Sequence, residues 1–374
     1  GFDPRTQMGV LSVAQQQIVE IAKALSMNAG IIIMDEPTAA LTARESEELY
    51  RIAESLRERG ASIIFISHRM EDMYRLADRV TVFRDARYIG TWNIDEITKE
   101  KLIVAMVGRE INQLFPKRKT EIGEEVLRVE GLGRTGYFAD VSFAVRRGEI
   151  LGITGLVGAG RSEVCQAIFG IDRFDRGAIY LKGRQVRPSS PEEAMKLGIG
   201  YLPEDRQKQG LVLEFGVGHN ITLPVLGKFA KRGWLNERRE TEKAKELAEK
   251  VNVKAITLTD PVSSLSGGNQ QKVVFAKLLT SELDVLILDE PTKGVDVGAK
   301  SAIYEMIGDL AEQGYGIVLV SSEMPEIIGL CDRVVVMREG RVTATLERDE
   351  MTQEAILEAA MMKPGSGGGS DACN

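Results

Sequence analysis

The chain is poor in the residues that most often build metal and acid–base sites. Among 374 residues there are two histidines, His68 and His219, and three cysteines, Cys165, Cys331 and Cys373. No cysteine stands in a CxxC or CxxH spacing, so the pattern gives no zinc site, and three unspaced thiols suit a reducing cytoplasm. There is no basic excess: the net charge is −7, which argues against broad nucleic-acid binding. No apolar run reaches the ~18 residues of a membrane span, so a membrane role has to come through a partner. The opening GFDPRT has neither the charged nor the apolar region of a secretion signal. What remains is ordinary globular material, 43% hydrophobic and 28% charged, long enough for two domains.

What is present is a repeat. Leu11–Thr91 is written again as Leu265–Thr345 at a constant offset of 254 without a gap: LSVAQQQ answers LSGGNQQ, MDEPT answers LDEPT, LADRV answers LCDRV. The copies diverge at chemically suggestive places. His68 faces Ser322, and Val13-Ala14 faces Gly267-Gly268. A duplicated module with divided roles follows. The second copy has a glycine-rich loop at Gly155, 110 positions before Leu265. The same distance before Leu11 falls ahead of Gly1, so the chain reads as the rear of one domain followed by a nearly whole one.

Short apolar runs at Ile31–Met34, Ser62–Ile66, Val285–Leu288 and Gly316–Val320 lack alternation and are expected to be strands buried on both faces. Helical patterns such as Ala43–Arg59 and Val297–Glu312 lie between them. Strand–helix–strand order predicts an α/β fold with a mainly parallel sheet. The expected organisation is a first domain at 1–111, a polar linker at 112–124, a second domain at 125–362 and a flexible Gly/Ser tail at 363–374. Asn236–Lys250 is predicted to be a charged helix of a small helical subdomain.

Gly155–Ser162 (GLVGAGRS) follows the apolar run Ile150–Thr154 and fits G-x-x-x-x-G-K-[ST] except that Arg161 replaces lysine. Gly155, Gly158 and Gly160 would let backbone N–H groups face phosphate, and Ser162 would ligate Mg²⁺. Arginine keeps the charge, but its planar fork does not fit a lysine's place between phosphates. A plain glycine turn is the alternative. Asp35-Glu36 and Asp289-Glu290 end apolar runs, each followed by Pro-Thr and each beginning 23 positions after a serine, Ser12 or Ser266. In nucleotide hydrolases the first acid at such a strand end holds Mg²⁺ through water, and the next can orient or deprotonate the attacking water.

LSGGNQQ, LDEPTKGVDVGAK, GLVGAGRSE and YLPEDR together resemble the tandem ATP-binding subunits of bacterial monosaccharide importers, within the ABC transporter superfamily. The resemblance covers about residues 9–362. It implies tandem ABC-type P-loop ATPase domains, α/β with a helical subdomain and a β-rich edge, the first incomplete. It further implies ATP and Mg²⁺ as cofactors, held between one domain's phosphate loop and the other's signature.

Position by position, the resemblance implies two unequal sites. One joins Asp35, Glu36 and His68 to Ser266, Gly267 and Gly268. The other joins Gly155–Ser162, Asp289 and Glu290 to Ser12 and the eroded Val13-Ala14, with Ser322 in place of the histidine. Glu204, in YLPEDR, is a further Mg²⁺ candidate, and Tyr137 or Phe138 could stack on adenine. His219 is read as structural. The implied partners are permease subunits and, through them, a periplasmic or extracellular sugar-binding protein, with the chain peripheral on the cytoplasmic face of the membrane and no nucleic acid bound. The other readings are a truncated, catalytically inactive nucleotide-binding fragment and a soluble tandem ABC ATPase unconnected to transport. The latter predicts a long basic arm between the domains, whereas Gly108–Glu125 is short and mixed in charge.

Overall fold

The computed structural model describes residues 3–362 except 12, 28, 39–40, 42, 68, 85–86, 108–119, 157 and 232–233. The chain divides into two compact units, Gly1–Ile111 with Asp296–Gly298, and Asn112–Val295 with Ala299–Asn374. Three expectations fall outside the described residues: most of the linker, at 112–119, the whole tail at 363–374, and the site residues Ser12 and His68.

The first unit runs α1 (Val13–Ser26), β1 (Ile31–Asp35), α2 (Ala43–Glu58), β2 (Ser62–Ile66), α3 (Met70–Leu76), β3 (Arg79–Arg84), β4 (Arg87–Asn93), α4 (Lys99–Val107). β1 and β2 are parallel; β3 and β4 form an antiparallel pair. Ile32 and Met34 of β1 turn inward to a small cluster with Ile21 and Leu49. Val80 and Val82 of β3 pack with Met73, Ile97 and Leu102.

In the second unit, β5 (Glu125–Arg134), β6 (Phe138–Arg146), β8 (Arg176–Leu181) and β9 (Arg184–Val186) form an antiparallel sheet in the order β6-β5-β8-β9. A larger sheet has the order β10-β13-β14-β7-β15-β16, from β7 (Ile150–Gly155), β10 (Ile199–Leu202), β13 (Val285–Asp289), β14 (Gly316–Val320), β15 (Arg333–Arg338) and β16 (Arg341–Glu347). Its pairings are parallel except that of β16. Alternate residues feed two cores. Leu286, Leu288, Ile317 and Leu319 face one side, among α9 (Gly267–Leu278) and α10 (Val297–Glu312). Val285, Ile287, Val318 and Val320 face the other, among the antiparallel sheet and α5 (Arg161–Ile168). Strands buried on both faces need no polar alternation, which explains their continuous apolar sequence. Helix boundaries follow local chemistry. At α6 (Pro191–Leu197) the Ser190 hydroxyl accepts from the Glu193 N–H, proline takes the first position and Gly198, at φ 105°, ends the helix. The charged α8 (Glu237–Lys250) is capped by Asn236 and packs against α7 (Val217–Thr222).

The expectation of two buried faces holds for β13 and β14 and fails for β1 and β2. Ile31 and Ile33 are each 66% exposed and Ile64 is 53% exposed. Their counterparts Val285, Ile287 and Val318 pack under the antiparallel sheet and α5, whereas no such layer covers that face of β1 and β2 among the described residues of the first unit. Of the expected linker, residues 120–124 are tied to the β6–β7 turn: Thr120 donates to Gly148 O (2.7 Å) and Gly123 N–H to Arg147 O (2.9 Å).

Candidate functional site

The carboxyl ends of β7, β13 and β14 converge on the glycine-rich loop. Gly155 ends β7 at φ 153°, and a Cβ there would come to 2.1 Å of Met337 O. Gly160 starts α5 in the left-handed region, φ 89°, facing the backbone of Tyr137 and Gly340. At both positions a side chain is barred by backbone, not by flexible atoms. Gly158 is also at positive φ.

Asp289, at the end of β13, is fully buried. Its Oδ2 accepts from the Tyr201 hydroxyl at 2.9 Å, while Oδ1 has no hydrogen-bond partner among the described residues. Burial pushes the Asp289 carboxyl above its ordinary range, opposed by the neighbouring hydroxyls of Ser162 and Tyr201. A buried carboxylate oxygen without a donor, beside a serine at a helix start, fits a divalent cation: buried polar atoms rarely go unpartnered.

Glu290 follows at φ 47°, a conformation uncommon for a residue with a side chain, held by its N–H on Val320 O (2.9 Å). Ser322 Oγ donates to Oε2 at 3.1 Å. Arg161 Nη2 stands 3.5 Å from Oε1, both side chains 11% exposed. Burial raises the Glu290 pKa, with the Ser322 N–H and Arg161 acting against it. Arg161 Nη1 also donates to Ser321 O at 3.0 Å, where Thr154 Oγ1 joins it at 2.9 Å. The arginine at the lysine position is thus turned towards the strand ends.

Ser266 caps α9 by position, its Oγ accepting from Asn269 Nδ2 at 3.1 Å. Gly267 has a packing reason to be glycine: a Cβ would meet Arg206 Nη2 at 2.7 Å and Gly294 O at 2.8 Å. Gly268 is buried in the first turn of α9. Arg206 donates to Lys293 O (2.6 Å) and Gly294 O (3.0 Å), joining the PEDR turn to the loop after Glu290. Glu204 pairs with the Lys293 ammonium and lifts its pKa. Phe138 is buried in the core and cannot stack on a base. Tyr137 is 54% exposed with the Arg134 guanidinium 4.0 Å over its ring. His219 is exposed on α7.

In the first unit Asp35 ends β1 exposed, and Glu36 takes φ 46° with its N–H on Ile66 O at 2.9 Å. Two elements are absent from the site residues read in the sequence. One is Arg206. The other is a clamp around a buried acid in α11 (Met324–Leu330): Glu326 accepts from Thr292 (2.5 Å), Tyr304 (2.6 Å) and Ser321 (2.7 Å). Asp72 does the same with Thr38 (2.6 Å), Tyr50 (2.5 Å) and Ser67 (2.7 Å). The signal was in the repeat, where Thr, Tyr and Ser recur at an offset of 254 beside an acid.

The ABC transporter family profile matches residues 2–39 and 138–293. The ribose import ATP-binding protein RbsA of Geobacillus kaustophilus (strain HTA426) is 50% identical over 96% of this chain and 73% of that protein. The chain belongs to the ABC transporter family. A putative ribose/galactose/methyl galactoside import ATP-binding protein of Halalkalibacterium halodurans is 47% identical over 96% of this chain and 69% of its own length. A nucleotide-free ATP-binding cassette from an ABC transporter aligns over 64% of this chain and all of its own, with a TM-score of 0.56 and 21% identity, which supports the fold. Clostridium perfringens cbiO1, part of an ABC transporter complex, aligns over 63% of this chain and 93% of its own, with 27% identity and a TM-score of 0.52. The tandem α/β P-loop ATPase architecture is therefore that of ABC ATPases, whose nucleotide-binding domains bind ATP.

Proposed function

We propose that the chain is an ATP-binding subunit that energises monosaccharide import through a membrane permease, with one competent and one degenerate nucleotide site. The observation that carries the reading is the duplicated acid pair at the same left-handed turn in both units, at Glu36 and at Glu290. Glu290 is engaged by Arg161 and Ser322. The relatives named for ribose and galactoside import support the substrate class, and an import role supports a permease partner and a peripheral position on the cytoplasmic face.

In the second unit, the turn at Gly155, Gly158 and Gly160 would present backbone N–H groups to phosphates, and Ser162 and Asp289 would hold Mg²⁺. The cation would neutralise phosphate charge and polarise the terminal phosphoryl group. A base already bonded to a guanidinium and lacking a histidine neighbour takes a proton from water poorly, so this site retains nucleotide more than it turns it over. Glu36 and His68, with Ser266, Gly267 and Gly268 as the intact signature, are proposed to serve the competent site; Ser12, Val13 and Ala14 belong to the degenerate one.

The test is titration of this chain with a fluorescent ATP analogue. Mg²⁺-dependent binding is expected, weakened about tenfold or more by Ser162→Ala and by Gly160→Val, which removes the close backbone approach. Binding that ignores both substitutions makes the loop a plain turn.

A further inference from the structure

Arg161 occupies the one position where this loop departs from the lysine pattern, and its side chain does not lie in the loop. It donates to Ser321 O beyond β14, and its second nitrogen stands 3.5 Å from Glu290 Oε1. Both partners are nearly covered, at 11% exposure each. Thr154, the last residue but one of β7, shares the Ser321 carbonyl, and Ser321 Oγ is held by Glu326. The guanidinium therefore closes a ring of contacts through the ends of β7, β13 and β14. The guanidinium presents two separate nitrogens, Nη1 to the Ser321 carbonyl and Nη2 to the Glu290 carboxylate, whereas a lysine would have to serve both from a single nitrogen.

We propose that Arg161 is a positioning residue that latches Glu290 in the nucleotide-free loop and releases it when MgATP enters. The inference rests on the reading that Gly155–Ser162 binds nucleotide. The phosphates and Glu290 compete for one guanidinium. Nucleotide binding is then set against the ion pair, and Glu290 acts as a brake on occupancy. The same acid that in an ordinary site would ready water is here the residue that keeps the cation out of the phosphate cradle.

Charge repulsion alone makes the opposite prediction, which gives a clean test. If Glu290 merely repels the terminal phosphate, Arg161 screens it, and Glu290→Gln should help most when Arg161 is absent. If Arg161 is latched, Glu290→Gln frees it for the phosphates and should help most when Arg161 is present.

The experiment measures MgATP affinity by calorimetry for the 374-residue wild type, Arg161→Ala, Glu290→Gln and the double variant, with circular dichroism as the folding check. Glu290→Gln is expected to tighten binding about fivefold in the wild-type background, the scale of one partly screened ion pair. In the Arg161→Ala background it should give less than about twofold, the gap between backgrounds being the coupling. Arg161→Lys covers the case in which the alanine variant does not fold. A single ammonium loosens the latch, so Glu290→Gln should then gain an intermediate amount. An equal or larger gain without the guanidinium overturns the latch. Absence of Mg²⁺-dependent binding in every protein, or binding indifferent to Ser162→Ala, overturns the nucleotide-site reading itself.

Discussion

In the first unit β1 pairs with β2 from Ile31–Ser62 to Asp35–Ile66; in the second, β13 pairs with β14 from Val285–Gly316 to Asp289–Val320, every partner displaced by 254. The antiparallel pairs agree as closely. Arg79–Asn93 answers Arg333–Glu347, and the register slips at Val82/Phe83 in one and Val336/Met337 in the other. Both helix ends match for α2 and α10, for α3 and α11, and for α4 (Lys99–Val107) and α12 (Gln353–Met361), which extends the repeat beyond Thr91 and Thr345; α1 runs two residues further than α9. Burial does not match. β13 and β14 are covered throughout, while β1 alternates between exposed and buried and β2 is nowhere fully buried. Register, bulge and the strained acid are properties of local sequence; coverage is a property of neighbours. The repeat therefore reports backbone well and energetics poorly.

The largest test of the comparison is catalytic. In a complete assembly with its permease, Glu36→Gln or His68→Ala is expected to reduce transport-coupled hydrolysis by about 10²–10⁴-fold, the range of a lost general base. Glu290→Gln should change it less than about twofold, because that acid is already bonded to Arg161 and Ser322. Steady-state phosphate release measures both. Equal losses would mean that the two copies are catalytically equivalent.

A second test uses matched isoleucines. Ile33 and Ile287 occupy the same place in β1 and β13, yet one is 66% exposed and the other fully covered. In this chain Ile287→Ala should cost about 2–5 kcal/mol, from lost burial plus a cavity. Ile33→Ala should cost under about 0.5 kcal/mol, as surface changes do. Denaturant titration, following each unit's own transition, reads the difference. Similar costs would show that the burial contrast does not hold in solution.

Much of this was legible in the residues. Strand and helix positions followed from apolar runs and periodicity, because these segments carry their own caps and turns. The loop and the acid pairs followed from motif and spacing, and the signature from the family resemblance. The exposure of Ile31, Ile33 and Ile64 did not, since a sequence gives no list of which neighbours arrive. Nor did the direction of Arg161, because a guanidinium can reach either a phosphate or a carboxylate and only the fold brings Glu290 within 3.5 Å. Arg206 was missed for a related reason: its acceptors are backbone carbonyls of Lys293 and Gly294, which leave no side-chain signature.

The smallest expected effect concerns the duplicated clamp. Glu326 is buried and its pKa is raised chiefly by desolvation, with repulsion from Glu323 adding and the hydroxyls of Thr292 and Tyr304 and the Lys300 charge opposing. An acid whose folded pKa lies above its unfolded value binds a proton more readily in the folded state. Its ionised form therefore weighs against folding above that pKa, and the penalty is relieved as pH falls through it towards the unfolded value near ~4.3. Glu326→Gln holds the group neutral at every pH. The stability of wild type relative to the variant should then rise as pH is lowered from about 8 to about 5. The gain is about 1.4 kcal/mol for every tenfold by which the folded carboxylate out-competes the unfolded one for a proton. The first unit sharpens the comparison, because Ser46 stands where the second has Lys300. Lys300→Ser removes a charge 3.8 Å from the Glu326 carboxylate and should steepen the pH dependence. Melting curves of the three proteins across that range measure it. A wild-type curve parallel to that of Glu326→Gln would mean that the three hydroxyls hold the carboxylate as well as water does, and that the clamp is indifferent to its charge.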